Sequence, residues 1–569
     1  MRMREGKDGS AQIGLVWTDK LPAAFRKLYG YDIMPRLLEL VFDIEGVDSH
    51  SVRHNFNNCV TELFTKGFMK QIGDWCEKHK CEFTGHVLEE DTLTSQTNKV
   101  GSCMRCYEWM QAPGIDMLTE NDRPFSIPKQ LSSVAHQFGR KWRLSELYGC
   151  TGWDFSFAGQ KATGDWQLAL GVNLRCQHLA WYTMLGQAKR DYPACIFYQS
   201  PWWEQYNKVE DYFGRVHTIM TQGEEVRDIL LLHPVESVWS QTRIGWLHTE
   251  KVTSIQKSFA SITNQLLASH LDFDYGDEDI MARHGKIRKD GSLIVGKAAY
   301  KAVVVPSMIT MRASTLSLLK RFVKAGGKVY FAGSVPDYVD AVPSKAAAIF
   351  AKGNCVNSQE LYQALSKKFR RVSIADSSTN EEFIPALYLL REDDKASYLF
   401  ICNIGEEYYS PTDSDKQDYI RFLTRTKGRT IGCDDVTITF NGQAKEVLEL
   451  NPETGDIIPA LAAATKNGCQ IRTSLPPIGS RLFVIKKTAK AGSLAKAPLP
   501  PFAERKVVYD APLATSFNAR LSEANVLVLD HPSYKIGDGE WQPELEILRI
   551  DRNVRDTLGV QRRRGQMFQ

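Results

Sequence analysis

Four short apolar runs in the first 180 residues end in groups that could move protons or bind hydroxyls. Residues 81–86 (CEFTGH) end in Gly85 and His86, with Glu89, Glu90 and Asp91 just beyond. Residues 113–118 (PGIDML) hold Asp116, residues 142–146 (WRLSE) end in Glu146, and residues 168–173 (LALGVN) end in Asn173, with His178 one helical turn later. Cleaving a glycosidic bond needs two carboxyl groups beside it, a protonated acid for the leaving oxygen and a carboxylate acting as base or nucleophile. Glu146 is the first catalytic candidate, because it ends a buried run and precedes the aromatic stretch Tyr148, Trp153 and Asp154, suited to a sugar ring. The plainer account is a strand-end carboxylate that caps the next helix or pairs with Arg143. Glu90 is the second catalytic candidate, weighed against an acidic helix start among solvated charges. His86, Asp116, Trp153, Asp154, Asn173 and His178 are read as substrate-binding groups. For His86 a satisfied structural role competes with that reading.

Such groups act together only if the runs are parallel strands whose C-terminal ends meet, as in a (β/α) barrel. The spacing predicts the four strands above, with helices over 129–139 and 175–186 between and after them. Ahead of them the pattern is helical, over 18–30, from Pro35, and over about 55–79, with no strand candidate. An eight-stranded barrel takes roughly 250 residues. Residues 1–225 are therefore read as the second half of such a barrel.

A second α/β unit is expected over 226–376, with buried parallel strands at 227–233, 271–275, 301–306 and 328–333 and helices at 252–268 and 314–325. It reads as a flavodoxin-like sheet without a glycine-rich phosphate loop after its first strand, where His233–Ser237 stand instead. From about 385 the alternation becomes all-β, so residues 385–488 are read as a β-sandwich. A linker over 489–506 and the start of a further β-sandwich module over 507–569 complete the expected order.

The chain has 569 residues and a formal net charge of +4, no field that argues for nucleic acid or an anionic membrane. No run approaches the ~18 apolar residues of a membrane span, and the opening residues lack the apolar core of an export signal. The chain as written is read as cytoplasmic, and as secreted or periplasmic if an upstream segment exists. The twelve cysteines follow no tight framework and are expected to be reduced. Cys103 and Cys106 have the CxxC spacing used for zinc, with Cys76 and Cys81 nearby, but Cys76 falls on the apolar face of the long helix and Cys81 opens a buried strand, where free cysteine serves as a small hydrophobe. Most of the twelve Trp precede residue 250, where they serve either as sugar platforms or as core. For Trp202 and Trp203, sealing the barrel against the next unit is favoured over a platform.

Several segments resemble the large bacterial glycoside hydrolases of the family 106 type, which include α-L-rhamnosidases. They are 17–21 (WTDKL), 29–33 (YGYDI), 84–93 (TGHVLEEDTL), 104–118 (MRCYEWMQAPGIDML), 144–149 (LSELYG), 171–173 (GVN) with His178, and 525–530 (NVLVLD). The resemblance implies a barrel, a middle domain similar to that of family 42 β-galactosidases, and β-sandwich modules. It places Glu146 at the seventh barrel strand and Glu90 after the fifth. It also implies inverting, calcium-dependent chemistry, with the metal ligands left open. Relatives carry an Asp-Glu-Pro stretch on an earlier strand that nothing before Trp17 matches, and they continue past Gln569, so the resemblance implies a truncated chain. Two functions follow as expectations. One is hydrolysis of a glycosidic bond in a complex polysaccharide by paired carboxylates; the alternative is an inactive relative that only binds carbohydrate.

Overall fold

The computed structural model describes residues 2–5, 11–119, 125–151, 155–180, 202–405, 430–488 and 531–562, with a few single or short stretches between them. It is a mixed α/β protein with several β-sheets. The opening stretch, expected to lack strands, holds an antiparallel hairpin of β1 (Arg2–Glu5) and β2 (Ala11–Gly14). Helix α1 (Leu21–Tyr29) carries a proline in its first turn and stops at Gly30, whose φ of 77° is the left-handed conformation that ends helices. The predicted long helix starts earlier and is interrupted: α2 (His50–Phe64) passes through a wide turn at Thr65–Met69 into α3 (Lys70–Lys78).

The sheet that matters for chemistry consists of β3 (Thr84–Gly85), β4 (Ala112–Met117), β5 (Leu144–Leu147) and β6 (Leu174–Gln177), all parallel and in chain order. Helices α4 (Leu93–Lys99) and α5 (Cys103–Tyr107) follow β3, α6 (Ser126–Phe138) follows β4, and α7 (Phe157–Ala169) follows β5. Three of the four strands fall where the apolar runs place them. The fourth does not. Residues 168–173 are the end of α7 and its turn, and the strand lies at Leu174–Gln177, where a helix was expected. The cause is burial. Helix α7 hides Gly159, Gln160, Trp166 and Leu168 on several faces and shows no amphipathic stripe, whereas β6 (LRCQ) is a half-exposed edge strand without an apolar signature.

Helix α8 (Asn207–Met220) leads to β7 (Glu224–Glu225) and then to a second parallel sheet. Its first strands are β8 (Ile229–Leu232) and β9 (Phe273–Gly276), separated by α9 (Val235–Trp239) and α10 (Glu250–Ala268). After α11 (Glu278–His284) comes a small antiparallel sheet of β10 (Gly285–Ile287), β11 (Leu293–Val295) and β12 (Ala298–Tyr300). Strand β13 (Ala302–Val305), the short β14 (Thr310–Met311), α12 (Ala313–Lys324) and β15 (Lys328–Phe331) follow. The order across the second sheet is β15-β13-β8-β9, all parallel, with Ile229, Leu230, Leu231 and Leu232 buried along β8.

Two sheets pack face to face beyond residue 370, around Ile374, Leu399, Ile438, Phe440, Ile471 and Phe483. Two segments from before residue 385 join them. Val372–Asp376 pairs with Cys433–Asn441, and β7 pairs with Ala386–Glu392. Beyond residue 506, where the start of a further sandwich module was expected, the described residues contain the helix Ile547–Thr557; the resemblance segment 525–530 lies outside them.

Buried ion pairs lock the units together beneath the first sheet. Arg143, one residue before β5, donates to Glu225 of β7 at 2.7 and 3.1 Å, and Arg391 and Arg227 reach the same carboxylate at 3.3 and 3.5 Å. Arg227 also holds Asp272 at 2.9 Å and Asp274 at 2.7 Å. Three arginines outweigh the cost of burial and pull the Glu225 carboxyl down to about 2.

Candidate active site

His86, Asp116, Glu146 and His178 meet at the C-terminal ends of β3 to β6. Register explains the convergence: Asp116 of β4 is the lateral partner of Glu146 of β5, so the two side chains leave the same face of neighbouring strands. His86 follows Gly85, the last residue of β3, and its Nε2 lies 2.9 Å from Glu146 Oε2. His178 follows β6, and its Nε2 lies 3.5 Å from Glu146 Oε1. The four side chains are 19 to 30% exposed, open enough for a substrate to reach. Gly149 is needed beside them, because a Cβ there would sit 2.8 Å from Leu118 and 3.2 Å from the His178 ring.

The His86 ring has a fixed orientation. Its Nδ1 donates to the Val87 carbonyl at 2.8 Å, which leaves Nε2 for Glu146. Burial opposes a charge on the ring, but the Val87 carbonyl and the carboxylates of Asp116, Glu90 and Glu146 outweigh it, so the His86 pKa is raised. Burial, and then the negative charge of Glu146, raise the Asp116 pKa against the pull of His86 and His178. Among the described residues, the ion-pair partners of Asp116 and Glu146 are histidines.

The loops behind this rim are strained. Glu89 after β3, Thr119 after β4, and Tyr148 and Cys150 after β5 have φ of 54°, 69°, 72° and 63°. Non-glycine residues held there cost roughly 1–3 kcal/mol each and concentrate at functional sites. Backbone bonds hold them in place: Thr119 N donates to Gly149 O at 2.7 Å, and His178 N to Leu147 O at 2.9 Å.

The other sequence candidates fall elsewhere. Asn173 precedes β6, so it stands at the opposite end of the sheet. Its amide accepts from Arg143 N at 2.8 Å and donates to Lys141 O at 2.8 Å, a structural clasp that replaces its expected contact with substrate. Glu90 is 3% exposed and turned into the protein, so it cannot touch a substrate in the cleft. Glu89, the surface alternative, pairs with Lys99 at 2.6 Å. Trp153 and Asp154 lie outside the described residues. Trp202 packs on the cluster of Leu147, Tyr148, Phe155 and Ile196, a sealing position. Tyr107, a residue that sequence reasoning passed over, donates its hydroxyl to Glu90 at 2.6 Å. An aromatic on a five-residue helix gives no advance sign of that contact.

His86, Asp116 and Glu146 can each offer a ligand atom within 4.8 Å of the others. Calcium takes six to eight oxygen ligands. Two carboxylates and an imidazole do not fit that requirement, so calcium enters no step below. No described helix is long and apolar enough to cross a membrane.

Carboxylates and imidazoles gathered at the C-terminal ends of parallel strands backed by helices are the site architecture of barrel-type hydrolases. The chain belongs to the glycoside hydrolase 106 family, described as alpha-L-rhamnosidase, whose profile matches residues 8–374. Among solved structures, a rhamnosidase from Novosphingobium sp. PP1Y superimposes with a TM-score of 0.62 at 16% identity, covering 85% of this chain and 44% of that one. A beta-galactosidase from Bacillus circulans sp. alkalophilus gives 0.53 at 10% identity over 83% of this chain and 77% of its own. The apo family 42 exo-carrageenase of Bacteroides ovatus gives 0.52 at 13% identity over 82% and 62%. At these identities the likeness is one of fold. A curated Formosa agariphila protein that carries a provisional beta-glucuronidase name is 23% identical over 412 residues, 69% of this chain and 32% of that protein. The chain thus spans about a third of that relative's length and 44% of the rhamnosidase's.

Proposed function

We propose that β3 to β6 form the second half of a (β/α)8-type catalytic barrel and that Glu146 is its catalytic carboxylate, cleaving an O-glycosidic bond in a complex polysaccharide. The observation that carries this reading is the convergence of His86, Asp116, Glu146 and His178 at one rim, with Glu146 held between two imidazoles. Asp116 stands beside it with a raised pKa and is the group that holds a proton for the leaving oxygen. His86 and His178 orient Glu146 through their Nε2 atoms.

The spacing bears on stereochemistry. Retaining glycosidases hold their carboxyls about 5–5.5 Å apart, and inverting ones about 6.5–9.5 Å, to fit a water. The nearest oxygens of Asp116 and Glu146 lie within 4.8 Å, which favours the shorter, retaining separation and direct attack by Glu146 with retention of configuration. That departs from the inverting chemistry implied by the resemblance. Product NMR on an aryl glycoside decides it: retention supports the Asp116–Glu146 pair, and inversion moves the second carboxyl across the cleft.

The cleavage reading is tested with aryl α-L-rhamnoside, β-D-galactoside and β-D-glucuronide. Release of aglycone that Glu146→Gln abolishes supports it; release that survives Glu146→Gln removes Glu146 from the mechanism. The second reading is carbohydrate binding without cleavage. Calorimetric binding of oligosaccharide with no product after long incubation selects it.

A further inference from the structure

The buried carboxyl of Glu90 sits directly behind the rim, and each of its oxygens faces the backbone of a rim strand or its loop. Oε1 accepts from Val87 N at 3.2 Å, and Oε2 accepts from Asp116 N at 3.1 Å. Val87 is the residue whose carbonyl orients the His86 ring, and Asp116 is itself a rim residue. One carboxylate therefore fastens the backbone on both sides of the gap between His86 and Asp116.

Two further contacts fix the fastener. Tyr107, fully buried on α5, donates to Oε1 at 2.6 Å, and Gln130 on α6 donates to the Glu90 carbonyl at 2.9 Å. Three donors converge on one side chain from the β3 loop, β4 and α5. Both carboxyl oxygens accept here, whereas an amide would turn an N–H toward one of these donors. We infer that Glu90 and Tyr107 form a positioning pair that sets the placement of His86 relative to Asp116, acting through the two backbone amides and never touching substrate. This rests on the reading of the rim as a catalytic site, and it goes beyond that reading by assigning a role to a carboxyl the chemistry does not use.

The test reads the His86 ring directly by NMR of protein labelled with ¹⁵N-histidine, with the resonance assigned by its loss in His86→Gln. Glu90→Gln and Tyr107→Phe are each expected to move the His86 resonance and leave that of His270, which is bound to Glu382, in place. Tyr212→Phe removes a comparable buried hydroxyl contact, to Asp165 at 2.8 Å, and is expected to leave His86 unmoved. In kinetics the two rim-side variants are expected to lower kcat by up to about 10²-fold, the scale of a misplaced catalytic group, with KM nearly unchanged. An unmoved His86 resonance in folded Tyr107→Phe overturns the inference, and that conservative variant carries the test if Glu90→Gln fails to fold. The spectra answer whether or not the chain cleaves a glycoside: no cleavage with a moved resonance sinks the hydrolase reading alone, and cleavage with an unmoved resonance sinks the positioning pair alone.

Discussion

At the C-terminal ends of β3 to β6, carboxylates face histidines and water; at the N-terminal ends of the same sheet, carboxylates face arginines in a dry interior. Glu146 has ring nitrogens at 2.9 and 3.5 Å and stays accessible. Glu225, below Arg143, is fully buried among Arg143, Arg227 and Arg391. Its arginine pairs make the lower end a structural joint between distant parts of the chain. Partial exposure leaves the upper end open to a substrate, with its loops held in strained conformations.

The largest expected effect separates the two ends by chemistry. Glu146→Gln is expected to lower kcat by on the order of 10⁴-fold or more, the scale of losing a nucleophile, with the melting temperature nearly unchanged. Glu225→Gln is expected to do the reverse: breaking a buried pair costs roughly 3–5 kcal/mol, visible in denaturant unfolding, with the folded fraction still active.

Proton linkage sharpens the comparison, because the two buried carboxyls move in opposite directions. The Glu225 carboxyl is lowered from 4.5 to about 2 by its arginines against burial. Its stabilisation is fully present above about 4.5 and is lost as pH falls through about 2. The Glu90 carboxyl is raised from 4.5 to about 7 by burial, against the pull of Tyr107, the two amides and His86. Its contribution is full below about 4.5 and is lost as pH rises through about 7, roughly 3 kcal/mol in all. Unfolding curves at pH 4 and pH 8 should therefore show the stability difference between wild type and Glu90→Gln changing by about that amount; a constant difference contradicts the assignment. The smallest effect is expected at Asn173→Ala, about 1–2 kcal/mol of stability for two lost hydrogen bonds with kcat unchanged.

Much of this contrast was legible in the sequence, and the exceptions have physical causes. Strands β4, β8, β9 and β13 are buried and β5 and β15 bury alternate residues, so their apolar runs are legible, and Asp116 and Glu146 fall at the strand ends the sequence assigns. Strand β6 is polar and lies at an edge. The misplaced fourth strand therefore assigned Asn173 to the rim, when the rim residue contributed by β6 is His178. In the acidic run Glu89, Glu90, Asp91 the sequence offers Glu90 as a catalytic carboxylate or as one of several solvated charges; the fold instead turns Glu90 inward while Glu89 pairs with Lys99. Pairing across the lower end joins residues as distant as Arg143, Glu225 and Arg391, and no local pattern encodes that.

Chemical rescue tests the central claim most directly. Glu146→Ala, assayed on an activated aryl glycoside, is expected to lose nearly all turnover and to regain it with added azide, giving a glycosyl azide in which the anion has taken the place of the missing carboxylate. A Glu146→Ala protein that turns over as fast as wild type, or one that azide neither restores nor converts to an adduct, would contradict the assignment of Glu146 as the attacking group.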